Sequence, residues 1–217
     1  MGAKTFLLLA VLLALYSSVS LADDPGPLQD FCVADYSSQV LVNGYACKQQ
    51  SQSTADDFFM SGFQTPGNTT NQLGLSITPA FAASIPGTNT LGVSMLRIDY
   101  APGGIYPPHS HPRASEIIIV LKGKLEVGFV PAHPDYRLFN KTLNEGDAYV
   151  FPQGLIHYQI NTGKHPAVAF SGLSSQNPGV IFIPNTLFGS VPKFPTELLV
   201  KAFQVDANVI SQLEANF

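Results

Sequence analysis

Past Tyr16 the sequence contains no apolar run long enough to cross a bilayer, for which a helix needs about twenty residues. Basic residues are few, 11 Lys and Arg in 217, and they form no cluster, which argues against a nucleic-acid-binding surface. Cysteine is confined to Cys32 and Cys47 with no CxxC pair, so thiol redox catalysis has no support. A phosphate-cradling glycine-rich loop is missing, as are internal repeats and any linker that would divide the chain into separate domains. Charge of either sign is scarce at 12%, against a hydrophobic fraction of 45%. A surface so poor in charge is common where some of it is covered in an oligomer.

What is present begins with a leader pattern. Lys4 gives a positive start, Thr5 to Tyr16 is almost wholly apolar, and Ser20-Leu21-Ala22 offers small residues where a signal peptidase reads. The pattern predicts a signal peptide over 1–22, cleaved after Ala22, and the run is too short for a membrane anchor. Residues 23–217 are then expected to form a single domain with a sizeable core. Loss of Lys4 moves the formal charge from −4 to −5. Export places Cys32 and Cys47 in an oxidising compartment, where they should pair. The bridge would contribute about 3 kcal/mol in the chain-entropy model and staple an N-terminal arm. Asn68-Thr69-Thr70 and Asn140-Lys141-Thr142 are glycosylation sequons in polar, turn-like stretches, expected at the surface of a secreted protein.

From Asp23 to about Pro86 the chain is rich in Gly, Pro, Ser, Thr, Asn and Asp. It reads as an arm of loops with short ordered pieces, such as Thr54 to Met60. From Leu91 short apolar runs alternate with turn residues: 91–100, 116–121, 124–130, 148–151, 157–160, 167–172 and 180–184. Val, Ile, Phe and Tyr dominate them, and Leu125 to Phe129 alternates with period two. Many short strands between Gly and Pro turns predict a sandwich or barrel. The end changes again. Pro195 to Phe203 has helical spacing, and Asp206 can cap a second helix through Ala207 to Ala215. The sum is an all-β core followed by two or three helices.

His109-Ser110-His111 is the chemical centre of the sequence. In a strand, side chains repeat direction every second residue, so both imidazoles face one side. Glu116 follows at an odd offset, which a regular strand would turn away. Pro112 breaks the strand and is expected to let the chain bend and return Glu116 to the same side. His157 lies in a second Gly- and Pro-rich segment, 146–157. Three imidazoles and a carboxylate make a mixed nitrogen and oxygen site suited to Mn, Fe, Co, Ni or Zn. Four protein ligands leave two positions open on an octahedral ion, where water, superoxide or a small acid could bind. A lone histidine is usually an ordinary polar residue, and His133 and His165 read as loop residues.

Two longer patterns carry a family resemblance. Gly103-x5-His109-x-His111-x4-Glu116-x6-Gly123 matches the first cupin motif, and Gly146-x5-Pro152-x-Gly154-x2-His157-x3-Asn161 matches the second. The wider chain resembles the germin-like proteins of plants, through Pro25 to Cys32, Pro86 to Gly92, His111-Pro112-Arg113-Ala114 and Ser175 to Gly179. The resemblance covers essentially the whole of 23–217. It implies a cupin jelly-roll β-barrel with C-terminal α-helices. It implies Mn2+ as the ion, held inside the barrel by His109, His111, Glu116 and His157. It also implies a homohexamer, a trimer of dimers, in the extracellular matrix and cell wall, with the disulfide at Cys32 and Cys47.

Members of this family divide by activity. Germins proper oxidise oxalate, many germin-like proteins dismutate superoxide, and some hydrolyse nucleotide-sugars or bind auxin. Two asparagines credited with positioning oxalate in the oxidases are replaced here by Leu96 and Tyr106. Leu96 makes no hydrogen bond and Tyr106 is far bulkier, so a small dianion would lose its polar partners. The resemblance therefore favours manganese-dependent superoxide dismutation in the apoplast, in defence or wall remodelling. The alternative from another class is a binding or structural wall protein whose metal stabilises the barrel. Oxalate oxidation and nucleotide-sugar phosphodiesterase activity rank below both.

Maturation is directly testable. Peptide mass spectrometry of the secreted protein, run without reduction, should show an N-terminus near Asp23, a Cys32–Cys47 bridge, and glycan on Asn68, Asn140 or both. An uncleaved leader or two free thiols would contradict it.

Overall fold

A computed structural model describes residues 29–41 and 43–217. The expected leader over 1–22, its cleavage point and the Pro25 to Leu28 stretch lie outside the described residues. Among the described residues, ten strands form two antiparallel sheets. They are β1 (Leu75–Ala80), β2 (Ser94–Tyr100), β3 (Ile105–Ser110), β4 (Glu116–Lys122), β5 (Leu125–Val130), β6 (Phe139–Leu143), β7 (Ala148–Phe151), β8 (Ile156–Asn161), β9 (Ala167–Leu173) and β10 (Ile181–Phe182). One sheet has the order β1-β2-β9-β4-β7 and the other β10-β3-β8-β5-β6. Three helices follow: α1 (Ile183–Phe188), α2 (Thr196–Phe203) and α3 (Ala207–Glu214). This is the expected all-β jelly roll with C-terminal helices.

Period-two alternation builds the core. Leu96, Ile98 and Tyr100 of β2 and Ile118 and Val120 of β4 meet Tyr106 of β3 and Leu125 and Val127 of β5, all buried in one cluster. The helices make a smaller core of their own around Phe188, Leu199 and Ile210. Asp206 occupies the N-cap position of α3 as expected, but its side chain makes no capping hydrogen bond.

Several boundaries differ from the sequence reading, each for a physical reason. Residues 75–80, expected within a loop-rich arm, form β1, which sits at a sheet edge where Pro79 is tolerated. β6 carries the polar run Phe-Asn-Lys-Thr-Leu, is mostly exposed and is also an edge strand, so no apolar alternation announces it. The expected strand over 180–184 contributes only Ile181 and Phe182. Pro184 lies in the first turn of α1, a position where a missing N–H costs nothing.

The arm is fixed at two points. Cys32 and Cys47 are bonded as expected, and Ala34 and Cys47 form a β-bridge. Farther on, the arm is held by Arg97 and Asp99, which point outward from β2 yet are 8% and 5% exposed. Arg97 donates Nε and Nη2 to the two Asp99 oxygens at 2.8 and 2.7 Å. It also donates Nη1 to the Phe63 carbonyl, and the Gly67 amide donates to Asp99 Oδ2 at 3.0 Å. A bidentate guanidinium–carboxylate pair is among the stronger polar contacts, and here the arm shields it from water. Asp99→Ala should therefore cost about 3–5 kcal/mol, because the Arg97 charge stays buried without its partner. Urea unfolding measures the loss, and hydrogen exchange at the Gly67 amide should accelerate with it.

Candidate metal centre

The barrel places the four sequence-selected residues together. His109 of β3 and His157 of β8 are register partners across neighbouring strands of one sheet. His111 follows one residue beyond the end of β3. Glu116 opens β4, in the opposite sheet. The expectation that Pro112 bends the chain back is corrected in detail. The segment 111–115 crosses from one sheet to the other, and Glu116 faces the same interior from across the barrel. That crossing is held by Gly154 N donating to the His111 carbonyl at 3.0 Å and Gln153 N donating to Ser115 Oγ at 3.1 Å.

All four side chains are buried, and one ligating atom from each lies within 4.8 Å of the others. The tautomers follow from the partners. His109 Nδ1 contacts the Pro107 carbonyl at 2.8 Å and His157 Nδ1 the Leu155 carbonyl at 2.8 Å, while His111 Nδ1 contacts the Gly179 carbonyl. A carbonyl only accepts, so each Nδ1 carries the proton and each neutral ring turns an Nε2 lone pair inward. His111 Nε2 and His157 Nε2 stand 3.0 and 3.3 Å from Glu116 Oε2. The three Nε2 atoms and Glu116 Oε2 are buried and have no geometrically sound hydrogen-bond partner. Lone pairs converging on a carboxylate in a buried space fit a cation with mixed nitrogen and oxygen ligands.

The electrostatics agree. Burial, followed by the neighbouring His157, lowers the His109 pKa to about 3, so its ring stays neutral. Burial alone would raise the pKa of Glu116, but the adjacent His111 and His157 rings outweigh it and hold the carboxyl well below its ordinary range. Burial likewise opposes charge on His111, and its bond to Glu116 overcomes that and raises its pKa.

Residues that the sequence reading does not select complete the surroundings. Ser171 Oγ of β9 donates to Glu116 Oε1 at 2.6 Å, leaving Oε2 for the centre. Tyr106 stacks on His109 with ring centroids 3.8 Å apart, and Phe151 stacks on His157 at 4.5 Å. Gln159 lies two residues beyond His157 on the inward face of β8, is fully buried, and has no partner for either side-chain polar atom. The Tyr100 hydroxyl is buried and unpartnered as well. A polar residue two positions after a ligand in a strand is the signal that could have found Gln159. Leu96 and Tyr106 both face the interior, at 2% and 3% exposure. His133 and His165 stand outside the cluster, as expected. Each sequon asparagine, Asn68 and Asn140, is exposed.

Comparison with known proteins matches this geometry to relatives. The Cupin family model matches residues 61–211. Germin-like protein subfamily 1 member 16 of Arabidopsis thaliana is 55% identical over 208 residues, 95% of this chain and 94% of its own. Germin-like protein 8-2 of Oryza sativa subsp. japonica is 54% identical over 215 residues, 98% of this chain and 97% of its own. Among solved structures, a recombinant oxalate oxidase in complex with glycolate superposes with a TM-score of 0.87 at 47% identity, covering 90% of this chain and 98% of that one. With its two cupin motifs folded around one His3Glu cluster and relatives of this closeness over nearly its whole length, the chain belongs to the germin-like proteins of the cupin family.

Proposed function

We propose that this protein is a secreted, manganese-dependent superoxide dismutase of the apoplast and cell wall, serving defence or wall remodelling through the peroxide it releases. The observation that carries the reading is the convergence of three Nε2 lone pairs and Glu116 Oε2 inside a core that contains Leu96 and Tyr106. A bound manganese ion supplies one-electron exchange between its divalent and trivalent states. Two superoxide ions and two protons then yield one oxygen and one hydrogen peroxide.

The chain's own residues set the conditions for that exchange. The Pro107, Leu155 and Gly179 carbonyls hold the protons on Nδ1 of His109, His157 and His111, which keeps every Nε2 available as a ligand. Tyr106 and Phe151 fix two of the rings by stacking. The Tyr100 hydroxyl stays protonated because burial pushes its pKa well up. Together with Gln159 Nε2 it is a buried donor without a partner, suited to hydrogen-bonding a small anion. Superoxide asks little more of a pocket. Oxalate asks for several polar partners, and Leu96 offers none.

The same reading takes residues 1–22 as a cleaved leader and 23–217 as one domain, and it takes the working form as a hexamer built as a trimer of dimers. Two exposed apolar regions support assembly. Met95, Ile117, Ile119 and Val150 project from the outer face of the β1-β2-β9-β4-β7 sheet, and Leu198, Phe203, Val209 and Leu213 from the helices. Contiguous apolar surface of this kind marks protein contacts. Among the described residues no helix is long and apolar enough to cross a membrane.

Two measurements test the reading. His109→Ala, His111→Ala, Glu116→Ala and His157→Ala should each remove most bound manganese in elemental analysis and lower Tm, since an ion bound only by the folded state stabilises it. His133→Ala and His165→Ala should keep full occupancy, and so would a His157→Ala protein if the site were misassigned. Manganese-loaded oligomer should dismutate superoxide and release almost no peroxide from oxalate. Leu96→Asn with Tyr106→Asn should add oxalate turnover if those two positions are what excludes it. Robust oxalate oxidation by the unmodified protein would overturn the assignment.

A further inference from the structure

The outer face of the β10-β3-β8-β5-β6 sheet carries a feature the metal centre does not use. Asn140 of β6, Gly128 of β5 and Tyr158 of β8 stand in one cross-strand row. Leu125 and Val127 point inward from β5 and are fully buried, so Glu126 and Gly128 belong to the outer face. A Cβ on Gly128 would come within 2.9 Å of Tyr158 Cε1 and 3.1 Å of Asn140 Cβ. The Tyr158 ring is therefore folded across Gly128 toward Asn140, in space that only glycine leaves free. Its hydroxyl donates to Glu126 Oε1 at 2.9 Å. Past Tyr158 the surface dips into an open groove of about 290 Å3 bordered by Pro108, Glu126, Ile160 and Thr162.

Asn140 is exposed and opens the Asn140-Lys141-Thr142 sequon. Neighbouring strands lie about 4.8 Å apart, so Asn140 and Tyr158, two strands apart, are about 10 Å from each other. That is the reach of one or two sugar rings.

We propose that Asn140 carries an N-linked glycan whose first two N-acetylglucosamine rings lie over the Tyr158 ring and enter the groove beyond it, as a packed element of the fold. The proposal rests on the reading of this chain as an exported glycoprotein. The attachment is a transfer from a lipid-pyrophosphate-linked oligosaccharide. Asn140 Nδ2 forms the bond to sugar C1, the C1–oxygen bond to pyrophosphate breaks, and the amide loses one proton. A pyranose presents a face of C–H groups, which complements the electron-rich face of an aromatic ring. The Glu126 carboxylate and Thr162 hydroxyl are placed to accept hydrogen bonds from sugar hydroxyls.

A double-mutant cycle on full-length protein from a glycosylating eukaryotic host tests the seat. Glycopeptide mass spectrometry first establishes occupancy. An unoccupied Asn140 overturns the sequon reading, and the proposal falls with it. With Asn140 occupied, Thr142→Ala removes the glycan and keeps the asparagine. It should lower Tm by about 2–4 °C with Tyr158 present and by much less in the Tyr158→Leu background, which keeps apolar bulk over Gly128 without a ring. Tyr158→Phe keeps the ring and should retain most of the glycan's effect. The cycle cancels any cost of Thr142→Ala itself. An equal drop with Tyr158 and with leucine, or no drop in either, overturns the seat while leaving the sequon reading intact.

Discussion

Three imidazole lone pairs directed at one buried carboxylate make an arrangement that neutral groups alone do not favour. The backbone carbonyls of Pro107, Leu155 and Gly179 hold the Nδ1 protons on the far side of each ring. His111 and His157 therefore present bare nitrogen to Glu116 Oε2 at 3.0 and 3.3 Å. A positive charge between them turns repulsion into attraction and offsets the cost of taking a carboxylate out of water. The surrounding architecture sustains this conflict. The β3–β8 register sets His109 beside His157, Ser171 satisfies the second carboxylate oxygen, and stacked aromatics prevent the rings from swinging away.

The site is more legible in the sequence than the fold around it. The alternation His109-Ser110-His111 and the fixed distances to Glu116 and His157 record a local geometry, and local geometry is what spacing encodes. The strands that the apolar pattern does not reveal, β1 and β6, lie at sheet edges, where one side of the backbone ladder has no neighbour and polar residues and Pro79 are tolerated. The route of Glu116 is ambiguous for a related reason. An odd offset states that the residue leaves the face of its strand, but it does not tell a bend from a crossing to another sheet. The carbonyls that fix the tautomers are invisible to any reading of residue types, because every residue has one. Gly179 is an example. Its φ of +65° and its crowding against Arg113 suit glycine, yet its contribution to the centre is a backbone oxygen.

β4 belongs both to the metal centre and to the outer surface. Its inward residues are Glu116, Ile118 and Val120, and its outward residues are Ile117, Ile119 and Leu121. A strand apolar on both faces is common in sheets covered on both sides. The scarcity of charge in the composition has its local expression here, on the outer surface of the sheet that also carries the metal-facing carboxylate. Arg97 and Asp99 solve the opposite problem on β2, where two charges face outward and the arm with Phe63 and Gly67 closes over them.

Glu116 and His157 belong to different sheets, which gives an ion between them a mechanical meaning. Such an ion is a reversible cross-link that closes a loop of roughly forty residues, and loop closure of that length removes substantial freedom from the unfolded chain. It would also pin one end of the sandwich, while at the far end Asn161 Nδ2 donates to the Ala101 and His165 carbonyls. An occupied centre would therefore restrain the separation of the two sheets at that end and tie the stiffness of the barrel to its metal content.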